Sequence, residues 1–397
     1  MRKLSLLGAT GSIGTQALDI VAQHPGEVEV VALASGGANL QLALEQAERF
    51  RPAFLAFAHA DADEVRSALT QRGLTHIEVG IGPSALKEAA ARAGEDGVVL
   101  NGINGGVGLE PTLVALQTGS QLALANKESL VVGAPVVRAA CVRPGQLTPV
   151  DSEHSAIAQC LASGRHERGL TSPKVTGFSE VSRLILTASG GPFRGRTRAD
   201  LEQVTAAQAL QHPTWSMGPV VTINSSTLMN KALELIEAWV LFDVEPARID
   251  AVVHPQSIVH SMVEFQDGAT IAQASPPDMH LPIALAMSWP HRWADIEAPC
   301  RWDQAVAWEF EPVDHETFPA IHLARQAMET SPTHPAVMNR ANEVCVDAFL
   351  RGELGYLQIV DTVAQVVSDH EGVADPDLEA ILAVQDWAQA HTEELIA

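Results

Sequence analysis

The chain has 397 residues, 46% hydrophobic and 18% charged, a composition for a folded protein with two or three cores. No stretch approaches the roughly 20 uninterrupted apolar residues of a membrane span. The net charge of −23 excludes a general nucleic-acid binder and requires that cations be gathered locally wherever an anionic ligand binds.

Taken in chain order, the N-terminal run MRKLSLLGATGSIG reads as a first strand rather than a leader, because glycines interrupt its short apolar core. A cytoplasmic location is therefore expected. Predicted strands are Leu4–Leu7, Val28–Ala34, Phe54–Phe57, Val98–Asn101, Leu122–Asn126 and Leu147–Asp151, with helical patterns at Thr15–Ala22, Leu40–Phe50 and Ala85–Arg92. Such alternation implies a parallel sheet with helices on both faces, and ligands of such sheets bind past the carboxyl ends of the strands. The segments at those ends are GATGSIG, SGGAN, NGINGG, NKES and DSEH.

Beyond residue 151 come a strand at Leu184–Thr187, a glycine turn, and a helix from Leu228 to Phe242. A hairpin of Ile258–Phe265 and Thr270–Ala274 turns at Asp267-Gly268. Residues 276–312 are dense in Pro and Trp, and short helices follow from Glu316. The expected fold is α/β: a Rossmann-type parallel sheet over 1–150, a central α/β catalytic domain over 151–285, a connecting arm over 286–312 and a C-terminal helical bundle over 313–397. The cysteines Cys141, Cys160, Cys300 and Cys345 form no CxxC spacing and read as reduced thiols.

Gly8, Gly11 and Gly14 follow the first strand and open the first helix, where glycines let a backbone approach a pyrophosphate. The spacing is GxxGxxG, which also suits a purely structural turn. An NAD site usually has a carboxylate at the end of the second strand. Here that strand ends in Ser35, Gly36, Gly37, Ala38 and Asn39, which favours the 2′-phosphate of NADP, although no arginine or lysine is present to grip it.

Asp151 and Glu153 lie at i, i+2 on what is predicted as a strand end, which would place both carboxylates on one side for a hard divalent cation. Two carboxylates in a solvated loop are the plain alternative. The segment SSTLMNKALELIEAW places Ser225, Ser226 and Thr227 where a helix N-cap is expected, with Asn230, Lys231 and Glu234 on one face. With Ser189-Gly190-Gly191, this is a phosphate receptor or an ordinary capped helix. Glu237, one turn on, is expected to be dispensable. Lys127 follows a strand and points to the crevice or to solvent. His212 and His260 stand out among 15 histidines, and residues 208–218, carrying Trp215, read as a flap or as packing.

With these residues assembled, the chain closely resembles the 1-deoxy-D-xylulose 5-phosphate reductoisomerases of non-mevalonate isoprene biosynthesis. The matching segments are GATGSIG, NKESLV, VDSEHSAI, TASGGPFR, HPTWSMG, SSTLMNKALELIEA, HPQSIVHSMV and NRANEVCVDAFL, in family order over nearly the whole chain. The resemblance implies Asp151, Glu153 and Glu234 as ligands of one Mg²⁺, Mn²⁺ or Co²⁺. It implies Ser152, Ser189, His212, Ser225, Asn230, Lys231 and Glu234 around a small phosphorylated sugar, with Lys127 and Glu153 as catalytic residues. NADPH would rest on Gly8, Thr10, Gly11, Ser12, Ile13 and Gly14, with Gly36, Asn39, Asn126 and Glu128 beside it. The resemblance also implies a homodimer, a closing flap around Trp215, and a rearrangement by retro-aldol cleavage and re-addition before hydride transfer. Glu153, Lys127 and a metal-bound water are all candidates for the first proton transfer. At SGGAN the chain lacks the basic residue that relatives often place there, so discrimination between NADPH and NADH should be smaller. A semialdehyde- or homoserine-type dehydrogenase would use GATGSIG but leave the three carboxylates without a task, and a nucleotide sensor would need no metal.

Overall fold

The structure, a computed structural model, describes every residue except Ser216 and divides into two compact units. The first comprises Met1–Ser129, Val137–Ser155 and Asp278–Glu297. Its sheet contains β1 (Arg2–Leu7), β2 (Val28–Ser35), β3 (Phe54–Phe57), β4 (Glu78–Ile81), β5 (Val98–Asn101), β6 (Gln121–Leu124) and β7 (Leu147–Pro149). All pairings are parallel, in the order β4-β3-β2-β1-β5-β6-β7. The inner strands read as unbroken apolar runs because helices cover both faces. Leu4, Leu6, Leu33, Leu55, Leu100 and Ala123 share one core. β4 was not expected. As an edge strand with the sequence EVGI it is only partly buried, so it lacks the apolar signature of its neighbours.

The helices along this part of the chain are α1 (Ser12–Gln23), α2 (Leu40–Phe50), α3 (Ala62–Gln71), α4 (Pro83–Ala91), α5 (Leu109–Gln117), α6 (Glu128–Ala140) and α7 (Ser152–Leu161). The last of these corrects one expectation. Asp151 and Glu153 do not sit on an extended strand end: the strand stops at Pro149 and a helix starts at Ser152. Asp151 precedes that helix, its Oδ1 accepting from the Glu153 amide at 3.3 Å. Ser and Asp compete for backbone donors and favour helix starts, and this outweighs strand continuation here.

The second unit comprises Leu130–Val136, Ala156–Pro277 and Ala298–Ala397. It continues with β8 (Val181–Ala188), α8 (Ala206–Ala209), α9 (Pro219–Ser226), α10 (Met229–Phe242), β9 (Ile249–Val253), β10 (Val259–Phe265) and β11 (Thr270–Ala274). The hairpin β10–β11 is antiparallel, as its Asp-Gly turn predicts. The chain then re-enters the first unit as α11 (His280–Ser288), where Arg2 donates to the Met287 carbonyl at 3.2 Å and His24 stacks on Trp293. It returns with β12 (Glu311–Pro312), completing a mixed sheet in the order β11-β10-β8-β9-β12. The C-terminal helices α12 (Ala320–Thr330), α13 (His334–Arg351), α14 (Tyr356–Asp369) and α15 (Leu378–Ile396) form the expected bundle. Its interior holds Val337, Met338, Cys345, Ile359, Val363 and Ala388.

A second correction concerns the N-cap expected at Ser225–Thr227. Those residues end α9 rather than begin α10, and the break between the two helices is Leu228, in the left-handed region at φ 58°. Nor does α10 present a solvated polar face. It is buried nearly all round, with Lys231, Glu234 and Glu237 among its enclosed residues. Glu237, the residue expected to be dispensable, is enclosed with them at 0% exposure.

Candidate active site

The switch point of the parallel sheet lies between β1 and β5, where the strand order reverses. Gly8 leaves β1 with φ +85°, and a Cβ there would lie 2.5 Å from the Gly102 carbonyl that follows β5. Gly14 is tighter still, since a Cβ would meet the Gly8 carbonyl at 2.3 Å. These two glycines let the chain fold back on itself and start α1 at the carboxyl end of the central strand β1. Gly11 precedes α1 with no side-chain cap, so the first helical amides face outward as anion donors. Thr10 and Ile13 are half-buried there, and Gly11 and Ser12 are exposed.

Gly36 and Asn39 follow β2, with open space around Gly36, and the Asn39 side chain caps α2 by accepting from Leu42 N. Asn126 has a different role from the others. It is 1% exposed, and its amide donates to the carbonyls of Ile103 and Gly105 and to Glu128 Oε2. It fastens the NGINGG loop after β5, a task visible in sequence only as an Asn beside a glycine-rich turn.

At the end of β7, Lys127 Nζ lies 2.5 Å from Asp151 Oδ2, and both side chains are nearly buried. Burial alone would raise the Asp151 pKa. Lys127, followed by His154, outweighs it and holds the carboxyl well below its usual range. Glu153 accepts from the Ser152 hydroxyl at 2.6 Å. His154 escaped the sequence reading. It is fully buried with Nδ1 3.3 Å from Asp151 Oδ1, and its signal was the i, i+3 spacing from that aspartate.

In the second unit, His212 gathers the phosphate candidates. Its Nδ1 accepts from the amides of Thr214 (3.1 Å) and Trp215 (2.9 Å), so its proton must sit on Nε2. That nitrogen is 3.0 Å from Ser189 Oγ and 3.1 Å from Ser225 Oγ. Burial lowers the His212 pKa, which keeps the ring neutral and donating. On α10, Glu234 accepts from Asn230 and from Lys231, and Lys231 and Glu234 are buried almost completely. Of the expected flap at 208–218, Gln208 belongs to α8, Trp215 is half-buried with its ring 6.1 Å from that of His260, and Ser216 lies outside the described residues.

Set against known proteins, residues 4–134 match the family model for 1-deoxy-D-xylulose 5-phosphate reductoisomerase. Residues 147–242 match the model for its C-terminal domain, and residues 274–391 match a further model, the DXP reductoisomerase C-terminal domain. A protein of that name from Beutenbergia cavernae is 56% identical over 398 residues, covering 100% of this chain and 98% of the relative. The chain belongs to the 1-deoxy-D-xylulose 5-phosphate reductoisomerase family. A second member, from Kitasatospora griseola, is 51% identical over 99% of each chain. Among solved structures, a reductoisomerase in complex with NADPH, fosmidomycin and magnesium superposes with TM-score 0.89 at 31% identity, covering 100% of this chain and 98% of that one. The Zymomonas mobilis enzyme in complex with NADPH gives 0.86 at 35%, covering 100% and 99%.

Proposed function

We propose that this chain converts 1-deoxy-D-xylulose 5-phosphate to 2-C-methyl-D-erythritol 4-phosphate, using NADPH and a divalent metal, as a cytoplasmic homodimer. The observation that carries the reading is family membership over the whole chain, together with a glycine turn and a carboxylate set of the right chemistry. The turn fits a dinucleotide because side chains at Gly8 and Gly14 would fill the space the backbone needs. The metal donors fit because Asp151, Glu153 and Glu234 are oxygen ligands suited to a hard cation. When bound, the cation supplies Lewis acidity to the oxygens of the sugar and NADPH supplies the hydride.

The chain's own residues do the rest. Ser189, Ser225, Asn230 and Lys231 bind the phosphate, while His212 orients the two serine hydroxyls, which share its one Nε2–H edge. Ser152 and Glu234 meet the sugar. Lys127 is a proton donor held at Asp151, and Glu153 is the carboxylate placed to accept one. The backbone turn at Thr10, Gly11, Ser12 and Ile13 receives the pyrophosphate, and Gly36 and Asn39 leave room for the 2′-phosphate. Asn126 and Glu128 hold the neighbouring loop, and the segment around Trp215 closes over the site to exclude water.

The test is NADPH oxidation with 1-deoxy-D-xylulose 5-phosphate after exhaustive chelation, and again after Mn²⁺ is restored. Activity should vanish and return. Full activity in the metal-free enzyme would overturn the ligand assignment and the chemistry together.

A further inference from the structure

The chain contains one tyrosine against ten phenylalanines, and that tyrosine is buried in the bundle at the start of α14, 3% exposed. Its hydroxyl donates to the carbonyl of Ser226 at 2.7 Å, a contact spanning 130 residues of sequence. Ser226 is the last residue of α9, where helical carbonyls lose their intrahelical amides, and the turn at Leu228 diverts the chain. The phenol thus satisfies a carbonyl that would otherwise be orphaned in the interior. The ring also stands edge-on to Phe193, centroids 5.1 Å apart, and Phe193 ends the segment that begins at Ser189. Between them, Gly191 packs so closely that a Cβ would lie 2.9 Å from the Ser225 carbonyl. On the other flank of the same turn, Asn342 of α13 donates to Asn224 Oδ1 at 3.0 Å, with both residues buried.

Ser189 and Ser225 lie on two different segments, and both must meet one His212 ring. Tyr356 touches both segments, through its hydroxyl and through its ring. We infer that Tyr356 is a positioning residue for the phosphate subsite: the C-terminal bundle sets the spacing of Ser189 and Ser225 through it, with Asn342 as second anchor. Burial pushes the phenol pKa up, so the group remains a donor across the working range of pH. A phenylalanine would keep the ring contact and lose the donor. This inference rests on the proposed assignment of Ser189 and Ser225 to the phosphate.

The experiment compares four full-length proteins. In Tyr356→Phe, KM for 1-deoxy-D-xylulose 5-phosphate should rise about three- to tenfold, the loss of one ordinary hydrogen bond, with KM for NADPH unchanged and kcat changed less. Val363→Ala removes volume from the interior of the same bundle, two turns further along α14 and outside the Tyr356–Ser226 hydrogen bond. It should lower Tm and leave KM alone. A second readout needs no turnover. Protein labelled with 3-fluorotyrosine has a single ¹⁹F resonance, from Tyr356, which should shift when inorganic phosphate is added, but not in Ser225→Ala. If Tyr356→Phe lowers Tm without moving KM, or if the fluorine signal ignores phosphate, Tyr356 is merely structural and the inference fails. If Ser225→Ala leaves KM for the sugar unchanged, the phosphate assignment itself is wrong and the inference falls with it. Should Tyr356→Phe not fold, the fluorine titration decides alone.

Discussion

In the proposed function the anion donors at the start of α1 are backbone amides, whereas around His212 they are side-chain hydroxyls, with an amide and an ammonium on α10. The first arrangement depends on missing side chains, since Gly8 and Gly14 work by having no Cβ. The second depends on side chains being present and aimed, and needs further residues to aim them. A backbone site is therefore broken by adding atoms and a side-chain site by removing them. Two of the three carboxylates repeat the second pattern, each with a lysine beside it: Lys127 for Asp151 and Lys231 for Glu234.

The largest expected effect tests the side-chain arrangement at its most demanding point. Asp151→Asn keeps the shape but removes the charge. If Asp151 holds the metal, kcat should fall by at least about three decades, since such an ion supplies several kcal/mol of transition-state stabilisation. NADPH binding, followed by its fluorescence, should persist. Near-normal turnover would remove Asp151 from the ligand set. Next in size is Lys231→Ala. A charge-assisted hydrogen bond is worth roughly 1.5–3 kcal/mol, so KM for the phosphorylated sugar should rise about ten- to a hundredfold. An unchanged KM would detach Lys231 from the phosphate and leave it only as the partner of Glu234.

The same contrast explains what was legible in the sequence. The parallel sheet and its glycine turn were readable because steric needs leave marks at fixed spacing: apolar runs for buried strands, glycines where a Cβ cannot fit. The edge strand β4 left no such mark, as only one neighbour covers it. Side-chain sites could be proposed from residue type, but their local conformation could not be read. Asp151 and Glu153 were proposed as metal ligands while their local structure was misjudged, because helix start and strand end compete over the same short segment. Ser225 was placed at the wrong end of a helix, because the left-handed break falls on Leu228, a residue that gives no turn signal. The burial of Glu237 was not legible because burial around all of α10 comes from packing with distant segments. Tyr356 acts through a contact 130 residues away that no local pattern reveals, whereas His154 had only its i, i+3 spacing from Asp151 to mark it.

A smaller effect sharpens the backbone side of the comparison. Gly14→Ala forces a methyl to 2.3 Å from the Gly8 carbonyl, an overpacking that costs about 1–3 kcal/mol. It should lower Tm and weaken NADPH binding together. Gly36→Ala meets open space and carries no positive φ, so its stability should change by less than about 0.5 kcal/mol. Equal damage from the two would mean that the glycines matter for something other than steric room.

The smallest effect near neutrality concerns histidines, which only the side-chain arrangement employs at its centre. His166, His212, His260, His315, His334 and His370 all lie in the second unit, and in each burial is the leading cause of a pKa below the ordinary 6.5. A lowered folded value means that the native state binds fewer protons than the unfolded chain. Stability is thus complete above 6.5 and declines as the pH falls from there toward the folded values. The depressed carboxylates, such as Glu264 and Asp369, act in the same direction but only near and below their ordinary values of 4.5 and 3.8. Between about pH 6.5 and 5 the histidines therefore dominate, each contributing a slope of at most about 1.4 kcal/mol per pH unit. His370 is a clean probe. It lies beside His334, which adds to its depression, and its Nε2 is 2.8 Å from Thr333 Oγ1, a contact an asparagine amide can replace. In His370→Asn the decline of Tm between pH 7 and 5 should be measurably shallower than in the wild type. Identical slopes would show that the bundle takes no part in the acid sensitivity of this unit.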